Sequence, residues 1–152
     1  AFSLVSTAFS PGSRIPSTHS IEGRDSSPPL SWSGQPGGVG SYALICDDPD
    51  APAGTWVHWV IFNIPASSNG LREGVSKVMT LEDGTRQGKN DFGRIGYGGP
   101  APPPGKPHGY VFTLYALNGP LAIGAGCTKA QLLAAMKGHV LSTASLQGSF
   151  QR

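Results

Sequence analysis

Glycine and proline set the first limit on this chain. With 22 glycines and 14 prolines among 152 residues, positions that break helices recur along its whole length. That spacing excludes a long-helix or coiled-coil architecture. What lies between the breaks is a series of short apolar runs bounded by turn residues, the pattern of a mainly β protein with little helix. Disorder fits poorly, because hydrophobic residues make up 38% of the chain and charged residues only 13%, whereas disordered chains are rich in charge and poor in aromatic and branched side chains. The length suits one domain, residues 1–152, around one core.

The runs can be placed individually. Phe2 to Phe9 reads as an opening strand stopped by Ser10-Pro11-Gly12, and Ser26 to Trp32 reads as extended because of Pro28 and Pro29. Ser41 to Cys46 has the continuous apolar character of a strand buried on both faces. Trp56 to Ile64 and Tyr110 to Leu117 are two further strands, Ser67 to Asn90 is polar and loop-like, and Asp91 to Gly109 is a long loop dense in glycine and proline. Thr128 followed by Gln131 forms a capping box for one helix ending near Gly138. Val140 to Leu146 is a final strand, with Gly148 to Arg152 as a tail.

A net charge of +2 from scattered Lys and Arg leaves no basic footprint for nucleic acid. No stretch approaches the ~18 apolar residues of a membrane span. No signal peptide is visible, though Ala1 is not an initiator Met and a processed start stays open; the cytoplasm is the default expectation. Cys46 and Cys127 form no C-x-x-C pair, so zinc and thioredoxin-like readings fail. Cys46 ends an apolar run and reads as a small buried hydrophobe, with a disulfide the weaker alternative. No phosphate-cradling glycine loop, G-x-S-x-G elbow or H-E-x-x-H pair is present, and no cofactor is expected.

Chemistry is carried by polar residues embedded in apolar strands. With strict alternation, His58 shares a face with Val60, Phe62 and Ile64, and His108 and Tyr110 share one with Phe112 and Leu114. Such groups either meet partners in the core or line a pocket, because burying them unpaired costs a few kcal/mol each. Asp48-Pro49-Asp50-Ala51-Pro52 follows the Ser41–Cys46 strand directly and is either a surface turn or a carboxylate set against an imidazole, which would favour the protonated histidine. Three uses follow: an anion site, an acid–base pair, or a metal site, for which no ligand spacing speaks. His19 and His139 read as surface residues.

Seven segments in order give a more specific reading. They are Ile15-Pro16, Ser27-Pro28-Pro29-Leu30-Ser31-Trp32, Asp48-Pro49-Asp50-Ala51-Pro52, Thr55-Trp56-Val57-His58-Trp59, Asn90-Asp91-Phe92-Gly93, Tyr97-Gly98-Gly99-Pro100, and His108-Gly109-Tyr110 before Phe112 to Leu117. Together they resemble the phosphatidylethanolamine-binding proteins, which include Raf kinase inhibitor protein, and in particular the compact prokaryotic-type branch. The resemblance implies a Greek-key β-sandwich with a few short peripheral helices and a cis peptide in the Asp48–Pro52 region. It implies a small edge cavity for anions or phosphorylated head groups, lined by Asp48, His58 and His108 and completed by Tyr110, Trp56 and the Gly99-Pro100 backbone. The family often has Arg between the loop His and Tyr, where this chain has Gly109.

Three functions are therefore expected candidates. The first is a binding module for a small anionic or phosphorylated ligand, with His58 and His108 biased towards protonation by Asp48. The second is a protein-level inhibitor of a kinase or serine protease acting through surface loops, of which Asp91 to Gly109 is the long one. The third is an isomerase or lyase using His58 or His108 as base and Tyr110 as acid in the same pocket, with Asp48 as partner.

Overall fold

A computed structural model describes residues 1–152. Two antiparallel sheets face each other. One contains β1 (Ser3–Val5), β2 (Leu30–Ser33) and β5 (Gly70–Leu71). The other has the order β6-β4-β3-β7-β8, from β3 (Ser41–Asp48), β4 (Trp56–Pro65), β6 (Arg86–Gln87), β7 (His108–Leu117) and β8 (Val140–Phe150). The Greek-key character lies in β7, which returns after the excursion through β5 and β6 to pair with β3. One helix, α1 (Lys129–Met136), and a single 3-10 turn at Ser17–His19 complete the β-sandwich.

The central strand β3 is buried on both faces, as its apolar run predicts. Tyr42, Leu44 and Cys46 enter the core between the sheets with Leu4, Leu30 and Trp32. Ala43 and Ile45 pack on the other face with Leu132 and Met136 of α1. The capping box of α1 is present: the Gln131 N–H donates to Thr128 Oγ1, and the Thr128 N–H donates to Gln131 Oε1. Cys46 and Cys127 are both buried and free.

Several expectations change. The opening strand is only Ser3–Val5, because the Ser6 hydroxyl donates to the Pro29 carbonyl and accepts the Ala8 N–H, and these local bonds replace the ladder. The polar 67–90 stretch contributes the short strands β5 and β6. The last strand does not stop at Leu146 but runs to Phe150, since its ladder with β7 continues to His108↔Phe150, and on its other edge the Gly12 and Ile15 N–H groups donate to the carbonyls of Gln147 and Ser149. Gly148 permits this approach, because a Cβ there would lie 2.6 Å from Ile15 Cγ1. His19 is buried rather than superficial, with Nδ1 donating to the Ser26 carbonyl. Every peptide bond is trans, including those of the Asp48–Pro52 turn, which closes on a bond from the Asp50 N–H to Asp48 Oδ1.

The strand alternation expected for His58 also fails. Cys46 pairs with Trp59 but Asp47 pairs with Val57, so His58 is the extra residue of a β-bulge. A second irregularity falls at Asn63, whose φ is +55°. Consequently Val60 and Phe62 point towards α1, while Trp59, Ile61 and Ile64 point between the sheets. In β7 the register is unbroken from His108 to Ala116, and Tyr110, Phe112 and Leu114 share the inner face.

Candidate functional site

Antiparallel pairing brings the end of β3 beside the starts of β4 and β7. Asp48 is opposite Trp56, and Asp47 is opposite Val111. A cavity of about 330 Å³ opens at this corner, walled by Asp48, Trp56, His58, His108 and Tyr110 from the strands. Loops close it with Phe92, the Ala51–Ala53 segment and the Ala101–Pro103 segment.

The polar groups are held in a definite order. Asp48 is 3% exposed and His108 9%. Asp48 Oδ2 accepts from His108 Nδ1 at 2.7 Å, and Oδ1 accepts from the Asp50 N–H at 2.8 Å. Asp50 in turn accepts the Gly109 N–H at 2.8 Å, tying the Asp48–Pro52 turn to the start of β7. Because a carboxylate only accepts, Nδ1 of His108 carries the proton, and Nε2 remains without a protein partner.

His58 is fixed differently. Its Nδ1 donates to the Gly98 carbonyl at 2.7 Å, and its ring stands edge-on to Tyr110 and Phe92, with centroids 5.1 and 5.4 Å away. Burial lowers its pKa, and this outweighs the opposing effects of the Gly98 carbonyl and the Asp48 charge. Asp48 does bias His58 towards protonation as expected, but burial outweighs it, so this imidazole favours its neutral form.

Two of the four buried side-chain donors that lack a partner belong to this wall, the others being Trp32 Nε1 and Tyr42 Oη in the core. Tyr110 Oη and Trp56 Nε1 are buried and make no hydrogen bond. The phenol lies near Asp48 without reaching hydrogen-bond geometry, and burial first, then the Asp48 charge, push its pKa well up, so it stays protonated. Buried unpaired donors in a cavity wall are uncommon in native proteins and mark a place where an acceptor fits.

Five of the sequence-predicted residues, Asp48, Trp56, His58, His108 and Tyr110, surround one cavity. Gly99 and Pro100 are not among its lining residues. The Gly99 N–H donates to Asp25 Oδ1 and the Pro100 carbonyl accepts from the Ile21 N–H, while the backbone of both Gly98 and Gly99 acts on His58. Phe92 and the Ala101–Pro103 wall escaped the residue-by-residue reading. The only sequence signals for them were the Asp91-Phe92-Gly93 motif and the proline density of the loop.

Comparison with known proteins agrees across the whole chain. A family model described as phosphatidylethanolamine-binding protein matches residues 5–151. The UPF0098 protein of Methanothermobacter thermautotrophicus is 52% identical over 98% of both chains. The crystal structure of Escherichia coli YbcL, described as a member of the mammalian family of that name, matches with a TM-score of 0.92 at 33% identity, covering 99% of this chain and 98% of that one. A homologue from Chlamydia trachomatis matches with a TM-score of 0.91 at 41% identity, covering 100% of this chain and 98% of that one.

Proposed function

The chain belongs to the phosphatidylethanolamine-binding protein family, and from that premise we propose that its edge cavity holds the phosphate head of a small phosphorylated ligand. The observation that carries this is that Trp56 and Tyr110, whose Nε1 and Oη donors are buried and unpartnered, line the same cavity as His108. A phosphate oxygen would accept from both, and from His108 Nε2 once that nitrogen carries a proton. Asp48, holding Nδ1, balances the charge of that imidazolium. The apolar walls, Phe92 and Pro102 among them, fit the organic part of the ligand.

Phosphoethanolamine titration followed by NMR of the imidazole and indole N–H signals tests this. The Trp56 indole and the His108 ring should shift together, and Tyr110→Phe should weaken binding by roughly 3- to 10-fold, the range of one neutral hydrogen bond. Equal binding by Tyr110→Phe, or shifts that spare both Trp56 and His108, would sink the reading.

A second reading rests on the Asp48–His108 pair. A carboxylate that fixes the Nδ1 proton leaves Nε2 able to act as a base, with the Tyr110 hydroxyl as the matching acid, as an isomerase or lyase requires. Turnover of a small carbonyl compound, lost in His108→Ala, would favour this reading over simple binding.

A further inference from the structure

Across Phe92 from the first cavity lies a second and larger one, of about 500 Å³. Phe92 lines both. The far cavity has an apolar floor that includes Ile95 and the 46%-exposed Ile21, and its polar residues include Asp25, Lys77 and Arg94. Lys77 is already paired, with Nζ 2.9 Å from Asp25 Oδ2. Arg94 is exposed and its guanidinium makes no ion pair or hydrogen bond. The lining therefore carries one uncompensated cation beside exposed apolar surface.

The wall between the cavities is thin and directional. One peptide unit, Gly98–Gly99, offers its carbonyl to His58 Nδ1 on one side and its N–H to Asp25 Oδ1, at 2.6 Å, on the other. Neither glycine could carry a side chain without disturbing the arrangement. A Cβ on Gly98 would meet the Phe92 ring at 2.6 Å, and one on Gly99 would meet the His19 carbonyl at 2.3 Å and Asp25 Oδ1 at 2.8 Å. Asp25 itself is held at φ +54°, a conformation disfavoured for any residue with a Cβ. A series of hydrogen bonds thus runs from the Lys77 ammonium through the Asp25 carboxylate and one peptide to the His58 imidazole, and bonds in such a series polarise one another.

We propose that the cavity beyond Phe92 is a second binding site, for a small anion with an apolar body, and that its occupancy is transmitted to His58 through Asp25 and the Gly98–Gly99 peptide. A carboxylate would pair with the Arg94 fork while its apolar part packs on Ile21, Ile95 and the outer side of Phe92. An anion beside Lys77 competes with Asp25 for the ammonium. That changes how strongly Asp25 accepts the Gly99 N–H, and so how strongly the Gly98 carbonyl accepts from His58.

Phenylacetate, titrated into isotope-labelled protein, is the probe. The Ile21 and Ile95 methyl signals and the Arg94 side-chain N–H should move saturably, and the His58 Nδ1 signal should move with them. Arg94→Ala should weaken this binding about tenfold, as expected for losing a charge-assisted bond, while phosphoethanolamine binding stays unchanged. Asp25→Gly keeps the left-handed backbone and should preserve the isoleucine shifts while abolishing the His58 response. Asp25→Asn, which keeps an oxygen for the Gly99 N–H, should restore part of that response and guards against a folding defect in the glycine variant.

Shifts confined to Trp56 and His108, or no saturable shift at Ile21 and Ile95, would overturn the second site. A His58 response that survives Asp25→Gly would overturn the linkage. The two cavities fail separately, since phenylacetate is read at the isoleucines and phosphoethanolamine at Trp56 and His108.

Discussion

Removing the Tyr110 hydroxyl should stabilise the ligand-free protein while weakening its ligand binding. Most substitutions in a core destabilise, so the sign alone is informative. Tyr110 is 1% exposed, its Oη is out of contact with solvent, and no acceptor reaches it. A buried polar group without a partner costs about 1–3 kcal/mol relative to its hydrated state, and Phe keeps the ring contacts with Phe112 and His58 while deleting that cost. Taking the low end, Tyr110→Phe should gain about 1 kcal/mol, which for a chain of this size raises the midpoint of thermal unfolding by roughly 2–4 °C. Urea and thermal unfolding without ligand measure the gain, and phosphoethanolamine titration measures the loss of affinity. If Tyr110→Phe is instead less stable by 1 kcal/mol or more, the hydroxyl has a partner in the free protein, and the argument that an empty donor marks the ligand position collapses.

The other perturbations follow from the same geometry. Asp48→Ala strands the His108 Nδ1–H and the Asp50 N–H in a buried corner, and should cost about 3 kcal/mol in urea unfolding; a loss under 1 kcal/mol would show that the pair contributes no net stability. Because burial lowers the His58 pKa, the unfolded chain takes up a proton below about pH 6.5 while the folded chain still does not. Stability should therefore fall as the pH drops from there through the folded pKa, and His58→Gln should flatten that part of the profile. Gly148→Ala places a Cβ 2.8 Å from the Phe9 ring as well as against Ile15, and should destabilise by about 1–3 kcal/mol, whereas Gly37→Ala, with nothing within 4 Å, should be close to neutral in the same melts.

How much could be read beforehand differed from strand to strand for physical reasons. In β7 the two-residue period holds because its pairing with β8 is unbroken from His108 to Ala116, so placing His108 and Tyr110 on the inner face succeeds. In β4 the same rule fails, since a bulge adds one residue at His58, and nothing in Val57-His58-Trp59 announces it. His58 still reaches the cavity because the bulge re-aims it. The end of β8 is hidden for another reason: Gly148 looks like a strand terminator locally, whereas its pairing with Tyr110 of β7 and the packing of distant Ile15 and Phe9 against it explain why a glycine continues the strand. For His58 the sequence shows the neighbouring carboxylate, which does favour protonation, but not the depth of burial, which outweighs it. Gly99 and Pro100 enter through the family resemblance alone; the Gly99 N–H serves Asp25 and the Pro100 carbonyl serves Ile21, while the Gly99 backbone also acts on His58.

The charge balance of the cavity narrows the ligand further. No Lys or Arg lines it, although the Arg152 charge reaches Tyr110 from outside, and burial keeps His58 neutral, so the one cation among its lining residues is a protonated His108, already bonded to Asp48. An incoming anion must then sit near the Asp48 carboxylate. At an effective dielectric of about 20, like charges about 5 Å apart repel by roughly 3 kcal/mol. While His108 is neutral, the two neutral donors contribute about 1 kcal/mol each and do not offset that repulsion, whereas a protonated His108 at a similar distance cancels most of it. A ligand carrying its own positive charge next to the phosphate escapes the difficulty, because its ammonium can face Asp48 while the phosphate takes the Tyr110 and Trp56 donors. Phosphoethanolamine should therefore bind at least tenfold more tightly than inorganic phosphate. Gly109 is where the family resemblance leads one to expect Arg, and its N–H here is bonded to Asp50. An arginine there would press on the flexible end of Gln147, 2.8 Å from the added Cβ, and on Asp50 Oδ2 at 3.3 Å, and would add a cation near this edge. Gly109→Arg should accordingly narrow the preference by raising the affinity for phosphate itself. If inorganic phosphate binds the unaltered protein as tightly as phosphoethanolamine does, a cation outside the cavity wall is neutralising it, and the charge balance drawn from the lining residues is incomplete.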